Sequence, residues 1–293
     1  MAEIIQKDGT WTFDGDTVRI VPGRDKSVSL LRKTLGEVAV PLEALAGIAY
    51  ESGRKSGRLR LRLRNGADPL LQITGGKLED SSDPYQLAVE NDRSGVAEYF
   101  TDEVRNALLL DQVGTTPVHR YLLPGPAVPI TVGAGDATVT FDGENIRLEW
   151  NWKTEEAKSS GGPRTLALSD VESVEWLPNI GLENGYLRFN VTKAPAKPAP
   201  KYDPHAVQLW GFRKDPLMAL VAAAVVARLP HPYAPTPLDT APADARPPET
   251  GISSGDDQDA MLRRLRELGE LHLSGILTDE EFTTAKRAIL KRL

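Results

Sequence analysis

The clearest pattern in the chain is a strict alternation over residues 56–64, in which Leu59, Leu61 and Leu63 fall on one side and Arg58, Arg60, Arg62 and Arg64 on the other. Period two is the spacing of a β-strand with one wet face, because successive side chains leave a pleated backbone on opposite sides. Residues 11–20 (WTFDGDTVRI) and 139–148 (VTFDGENIRL) alternate in the same way around an Asp-Gly pair. They are rich in the β-branched and aromatic residues that strands favour. At 96–110 the period lengthens to that of a helix: Val96, Tyr99, Phe100, Val104, Ala107, Leu108 and Leu110 form one stripe, with Glu98, Asp102, Glu103, Arg105 and Asn106 largely outside it. A second helical stretch, 217–229, is apolar on most sides, and Asp215 and Pro216 suit its N-cap and first turn.

These segments belong to a repeat. After the paired openings, VPLEALAGIAYE (40–51) matches LALSDVESVEWL (166–177), which aligns Leu42 with Leu168, Leu45 with Val171, Ile48 with Val174 and Tyr50 with Trp176. SGRLRLRL (56–63) then matches NGYLRFNV (184–191), and the Asp-Pro of 83–84 returns at 203–204 before each stretch ends in its helix. Landmarks kept in one order over about 100 residues predict two copies of one domain. Each copy reads as consecutive antiparallel strands followed by a helix, a mainly β (α+β) layout of the pleckstrin-homology-like (PH-like) kind. In that layout the C-terminal helix plugs the open end of a bent sheet or barrel. A β-sandwich with an appended helix is the alternative. The predicted boundaries are 1–114 and 127–229 for the two copies, 230–257 for a disordered linker and 258–293 for a helical hairpin.

The linker rests on composition, since seven prolines and almost no large apolar residue between 230 and 257 cannot bury a core. Beyond it, Met261, Leu262, Leu265, Leu268 and Leu271 stripe one helix, and Gly275 stops it. Thr278 and Glu281 form a capping box for the next helix, which carries the facing stripe of Phe282, Ala285, Ile289 and Leu290. A hairpin this short buries too little apolar surface to be stable alone. Leu262, Leu265, Leu268, Leu271, Ile276, Leu277, Phe282, Ile289 and Leu290 are therefore the candidates for joining copies of the chain or capturing another protein.

The hairpin resembles SHOCT, the short C-terminal domain, in its leucine stripe, its Gly275-Ile276-Leu277-Thr278 turn and the Glu281, Phe282 and Lys286 that follow. The two upstream copies resemble the tandem PH-like family called domain of unknown function 4429. That likeness is carried by Asp14-Gly15 with Arg19, Asp142-Gly143 with Arg147, and the ending LWGFRKDPLMALVAAA at 209–224. Neither resemblance brings a catalytic residue with it. SHOCT implies oligomerisation or partner binding.

Composition narrows the function further. The 293 residues carry a net charge of −6 from 41 acidic and 35 basic side chains. A bulk field that attracts nucleic acid is disfavoured, no nucleic-acid partner is expected, and any basic surface has to be local. There is no cysteine, which removes disulfides, thiolate zinc sites and cysteine nucleophiles together. The start, MAEIIQKDGTW, lacks the basic-then-apolar pattern of a leader, and the apolar run 217–227 is far short of a membrane span, so a cytoplasmic location is expected. His119, His205, His231 and His272 stand apart, without a nucleophile-and-base, HExxH or calcium-loop pattern, and read as surface or turn residues. No catalytic, cofactor or metal-binding residue is assigned, and an enzyme is not expected.

Two features point to recognition. Trp150 and Trp152 would share a strand face, where core or interdomain packing is the expected use and stacking on a ring or peptide the other. The arginine stripe is expected to be exposed. Its counterpart in the second copy is Tyr186, Arg188 and Asn190, so the stripe is a speciality of the first. Three uses are open to it: a solvated edge that resists strand-to-strand aggregation, a docking face for an acidic protein surface, or an anion site. A further basic group, Arg24, Lys26, Arg32 and Lys33, lies in 22–33, read as the loop between first strands where PH-like modules can take lipid headgroups. The corresponding segment 151–162 mixes Glu155 and Glu156 with Lys153 and Lys158. The expectation is a non-enzymatic cytoplasmic scaffold that assembles with itself or another protein. Weak peripheral binding of anionic headgroups is its rival.

Overall fold

The computed structural model describes residues 1–192 and 197–234. The C-terminal hairpin and most of the proline-rich segment lie outside the described residues. The first copy runs β1 (Ala2–Gln6), β2 (Gly9–Phe13), β3 (Thr17–Pro22), α1 (Leu30–Leu35), β4 (Val38–Pro41), β5 (Leu45–Glu51), β6 (Ser56–Leu63), α2 (Pro69–Thr74), β7 (Gln86–Glu90) and α3 (Ser94–Leu110). The second runs β8 (Ile130–Ala134), β9 (Ala137–Phe141), β10 (Asn145–Trp150), α4 (Glu156–Ser159), β11 (Arg164–Ala167), β12 (Val171–Leu177), β13 (Gly185–Val191), β14 (Ala206–Leu209) and α5 (Met218–Val226).

Each copy has a four-stranded and a three-stranded antiparallel sheet in simple sequence order, followed by its helix. The duplication extends to register. Tyr50 faces Leu59 as Trp176 faces Leu187, and both β5 and β12 carry a bulge near their start. In the first copy α3 buries Ala97, Phe100, Thr101 and Val104 against β1, β5 and β7, with the Phe100 and Trp11 rings 6.4 Å apart.

Helices are not confined to the ends of the copies, as the sequence pattern suggested. Ser29 caps α1 through the Arg32 N–H (3.2 Å), and Asp68 caps α2 through the Leu70 and Leu71 N–H groups (3.1 and 2.8 Å). Pro69 stands at the start of α2 and Gly75 closes it at φ 55°. At four to six residues, α1, α2 and α4 are too short to show a helical period.

The two copies share a core. Leu31 and Leu70 of the first copy are buried among the core residues of the second, and α2 lies against α5 and β12. This is why α5 carries no polar face: a helix covered on both sides has to be apolar all round. The connecting segment belongs to the first copy as well. Val118 N–H donates to the Asn65 carbonyl (2.9 Å), and the Leu122 and Leu123 N–H groups both donate to the Ala67 carbonyl (2.8 and 3.0 Å).

Residues 230–234, at the head of the segment read as a disordered linker, are ordered against the first copy. The His231 ring lies edge-on to Tyr121 at 4.5 Å with Nε2 2.9 Å from the Gly66 carbonyl, and His119 Nδ1 is 2.6 Å from the Tyr233 carbonyl. Two histidines read as surface or turn residues therefore hold the chain's return. Gly66 sits at φ 81°, where a Cβ would lie 2.8 Å from the His231 ring and 2.8 Å from the Val118 carbonyl. Gly66→Ala is expected to cost about 2 kcal/mol through the left-handed backbone alone. It should also release 230–234, read as new proteolytic cleavage just beyond Leu229.

Candidate functional site

The arginine stripe divides by role. Arg58, Arg60 and Arg62 alternate with the buried Leu59, Leu61 and Leu63, as the spacing predicts. Arg58 is ion-paired with Asp80 (2.7 Å). Arg64 leaves the strand and becomes a strut, its guanidinium donating to the Thr116 and Glu43 carbonyls (both 2.9 Å). In the second copy Arg188 is buried rather than part of an open face. It donates to Asp203 (2.8 Å) and to the Pro198 carbonyl (2.7 Å), so residues 197–203 cover that sheet.

The group at 22–33 is corrected in two ways. It lies between β3 and β4, not between the first strands, and Arg32 is buried. Its guanidinium is 2.8 Å from the Asp8 carboxylate and donates to the Asp8 carbonyl (3.2 Å). Arg24, Lys26 and Lys33 remain exposed.

The second copy repeats the device. Lys158 on α4 donates to the Asp136 carboxylate (2.6 Å) and to the Pro200 carbonyl (3.2 Å), with 0% and 2% of the Lys158 and Asp136 side chains exposed. Asp136 also accepts the Gln208 N–H (2.8 Å). Burial draws the Lys158 ammonium below its ordinary pKa, against the pull of Asp136 in the other direction. In both copies a cation from the helix between the third and fourth strands thus closes the turn between the first and second. A mobile basic loop there would leave that turn open. The mixed charges of 151–162 suggest a loop charge for Lys158, although the shared repeat position of Asp8 and Asp136 is a signal for a paired role.

Trp150 is half-buried, its Nε1 donating to the Gly162 carbonyl (2.9 Å). Trp152 is 89% exposed and does not pack in a core. Strand β10 ends at Trp150, so the period-two argument stops two residues early. The Lys153 ammonium lies 5.5, 5.4 and 4.9 Å from the ring centres of Trp152, Trp210 and Phe212.

The turn that presents Phe212 is built by Asp215. This buried carboxylate accepts the N–H groups of Trp210 (2.7 Å), Gly211 (2.9 Å) and Phe212 (3.1 Å), and that of Gly135 (3.3 Å). Asp215 therefore caps the preceding turn instead of the first turn of α5. Phe212, Arg213 and Lys214 stand exposed beyond it. Together with Trp152 and Lys153 they line an open hollow of ≈ 450 Å³. A neighbouring hollow brings Lys26 and Lys33 of the first copy to Phe212 and Arg213 of the second, so this face spans the seam between copies.

The buried acids elsewhere have structural duties. Asp68 accepts the Tyr85 hydroxyl (2.7 Å) while it caps α2, and burial raises the pKa of both groups. His205 is held below its ordinary pKa by burial, with Nδ1 3.9 Å from Asp203. Among the described residues no group of three or more His, Cys, Asp or Glu is placed to hold a metal ion. The face at the seam offers cations and aromatic rings, which suits recognition.

Comparison with known protein families gives two matches. The family model described as Domain of unknown function (DUF4429) matches residues 11–105 and 139–226, the two copies described above. The model of the Short C-terminal domain, SHOCT, matches residues 263–290. No curated protein matches the chain.

Proposed function

Since the chain belongs to the DUF4429 family, with two copies of its domain ahead of a short C-terminal domain, we propose that it is a non-enzymatic scaffold of the cytoplasm. It presents a two-copy body through a C-terminal hairpin that joins copies of the chain or takes hold of another protein. The observation that carries this reading is the shared core: α5, Leu31 and Leu70 lock the copies into one body. The four-plus-three-strand sheets with a closing helix favour the PH-like reading of each copy. Among the described residues the buried cations Arg32, Lys158 and Arg188 each pair with a carboxylate within the fold, and the reading assigns no reaction. No described helix is long and apolar enough to cross a membrane. The 259–293 segment carries nearly balanced charge and can pair with itself.

A headgroup pocket at 24–33 is the weaker reading, because Arg32 is committed to Asp8 and the turn between the first strands is closed. The deciding experiment is light scattering after size exclusion on the full chain and on the full chain carrying Leu268→Asp with Phe282→Asp. We expect a defined oligomer for the first and a monomer for the second. Equal masses would remove the hairpin as the assembly device.

A further inference from the structure

We propose that the face at the seam docks onto the surface of an anionic lipid bilayer. Four large apolar side chains project from turns at this end of the second copy: Trp152 (89% exposed), Phe212 (55%), Ile180 (64%) and Leu182 (103%). They form a set. Lys153 lies over both Trp152 and Phe212, and Asn179, beside Ile180, packs so closely on Gly211 that a Cβ there would meet its Oδ1 at 2.9 Å. Single exposed apolar residues are ordinary on a protein surface, whereas a contiguous group rimmed by charge marks a contact face.

The rim is basic. Lys153, Arg213 and Lys214 of the second copy line one hollow, and Lys26 and Lys33 of the first meet Arg213 in its neighbour. The acids nearby are Asp25, which adjoins Lys26 and lies beside Lys33, Glu79, which shares the Lys26 hollow, Glu183 on the hairpin with Leu182, and Asp215, whose carboxylate is occupied by four backbone N–H groups. On a chain of net charge −6, a local cationic face orients the whole body toward an anionic plane.

The shape selects the occupant. Trp152 and Phe212 flank an open hollow and are not enclosed by it, and with Ile180 and Leu182 they stay more than half exposed on turns, an arrangement that suits a medium that yields around them. Tryptophan, with an apolar body and a polar N–H, sits well at the headgroup level, and a lysine beside it can keep its ammonium in water while its stem lies against the rings. The contact is expected to be weak for one chain and to strengthen if copies assemble. The face belongs entirely to the described body, so it stands or falls separately from the hairpin's role.

The test is co-sedimentation of the full chain with phosphatidylcholine vesicles, with and without phosphatidylglycerol, at two salt concentrations. We expect partitioning onto the anionic vesicles only, weakened by salt. It should fall at least about tenfold in Trp152→Ser with Phe212→Ser, in Ile180→Ser with Leu182→Ser, and in Lys153→Gln with Arg213→Gln and Lys214→Gln. Thermal melts of these variants should match the parent, because every replaced side chain is exposed. Equal partitioning onto neutral vesicles, or binding that survives loss of the four apolar side chains, overturns the proposal. So does competition by a soluble inositol phosphate, which would place the contact in a headgroup pocket. A protein that occupies this face in place of vesicles overturns it too.

Discussion

Lys158→Met is expected to lower the unfolding free energy by about 3–5 kcal/mol, because it leaves the Asp136 carboxylate charged and without its partner in a buried site. The pair is closed to water, with 0% and 2% of the two side chains exposed. Burial outweighs the attraction of Asp136 in setting the Lys158 pKa. The pair as a whole is therefore a poor source of stability relative to an uncharged replacement, even though breaking it is costly. The double change Lys158→Met with Asp136→Asn should recover most of the loss, since an amide oxygen can still accept the Gln208 N–H. Arg32→Met in the first copy should cost less, because the Asp8 side chain is 28% exposed and water can solvate the charge left behind. Urea unfolding at constant m-value reads all three. If Lys158→Met is as mild as Arg32→Met, the second pair is not sealed as its geometry indicates.

That pair also shows where sequence reasoning runs out. The alternation of Arg58 to Leu63, the matched openings at 11 and 139 and the stripe of α3 all write their structure into a local period, and each forms the element expected. The roles of Arg32 and Lys158 depend on Asp8 and Asp136, more than twenty residues back on a different turn. Nothing near Arg32 marks it as buried. Trp152 departs from its expected packing for a related reason: a two-residue period is evidence only while the strand continues, and β10 ends at Trp150. The arginine stripe was legible as a face but not in its parts, because Arg64 meets Thr116 only after the connecting segment folds back along the first copy.

The apolar character of α5 was visible in the chain, and its cause, the cover supplied by Leu31, Leu70 and Ile73 of the first copy, was not. That cover carries the last prediction. A chain of residues 127–234 alone should fail to reach a native state, because the outer side of α5 would face water. The seam is closely packed at Gly125, where φ is 70° and an added Cβ would lie 2.9 Å from Pro69 and 3.0 Å from Ala227. Within the full chain, Leu70→Ala should cost about 2–5 kcal/mol, the usual range for emptying a leucine site that cannot collapse. It should lower the stability of both copies together. Of the five tryptophans only Trp11 belongs to the first copy, so fluorine-labelled tryptophan gives one resonance for that copy and four for the other. All five should disappear at a common denaturant midpoint, in the parent and in Leu70→Ala alike. A separate midpoint for Trp11, or sharp native resonances from 127–234 alone, would mean that the copies fold independently and that the seam is a contact between two finished domains.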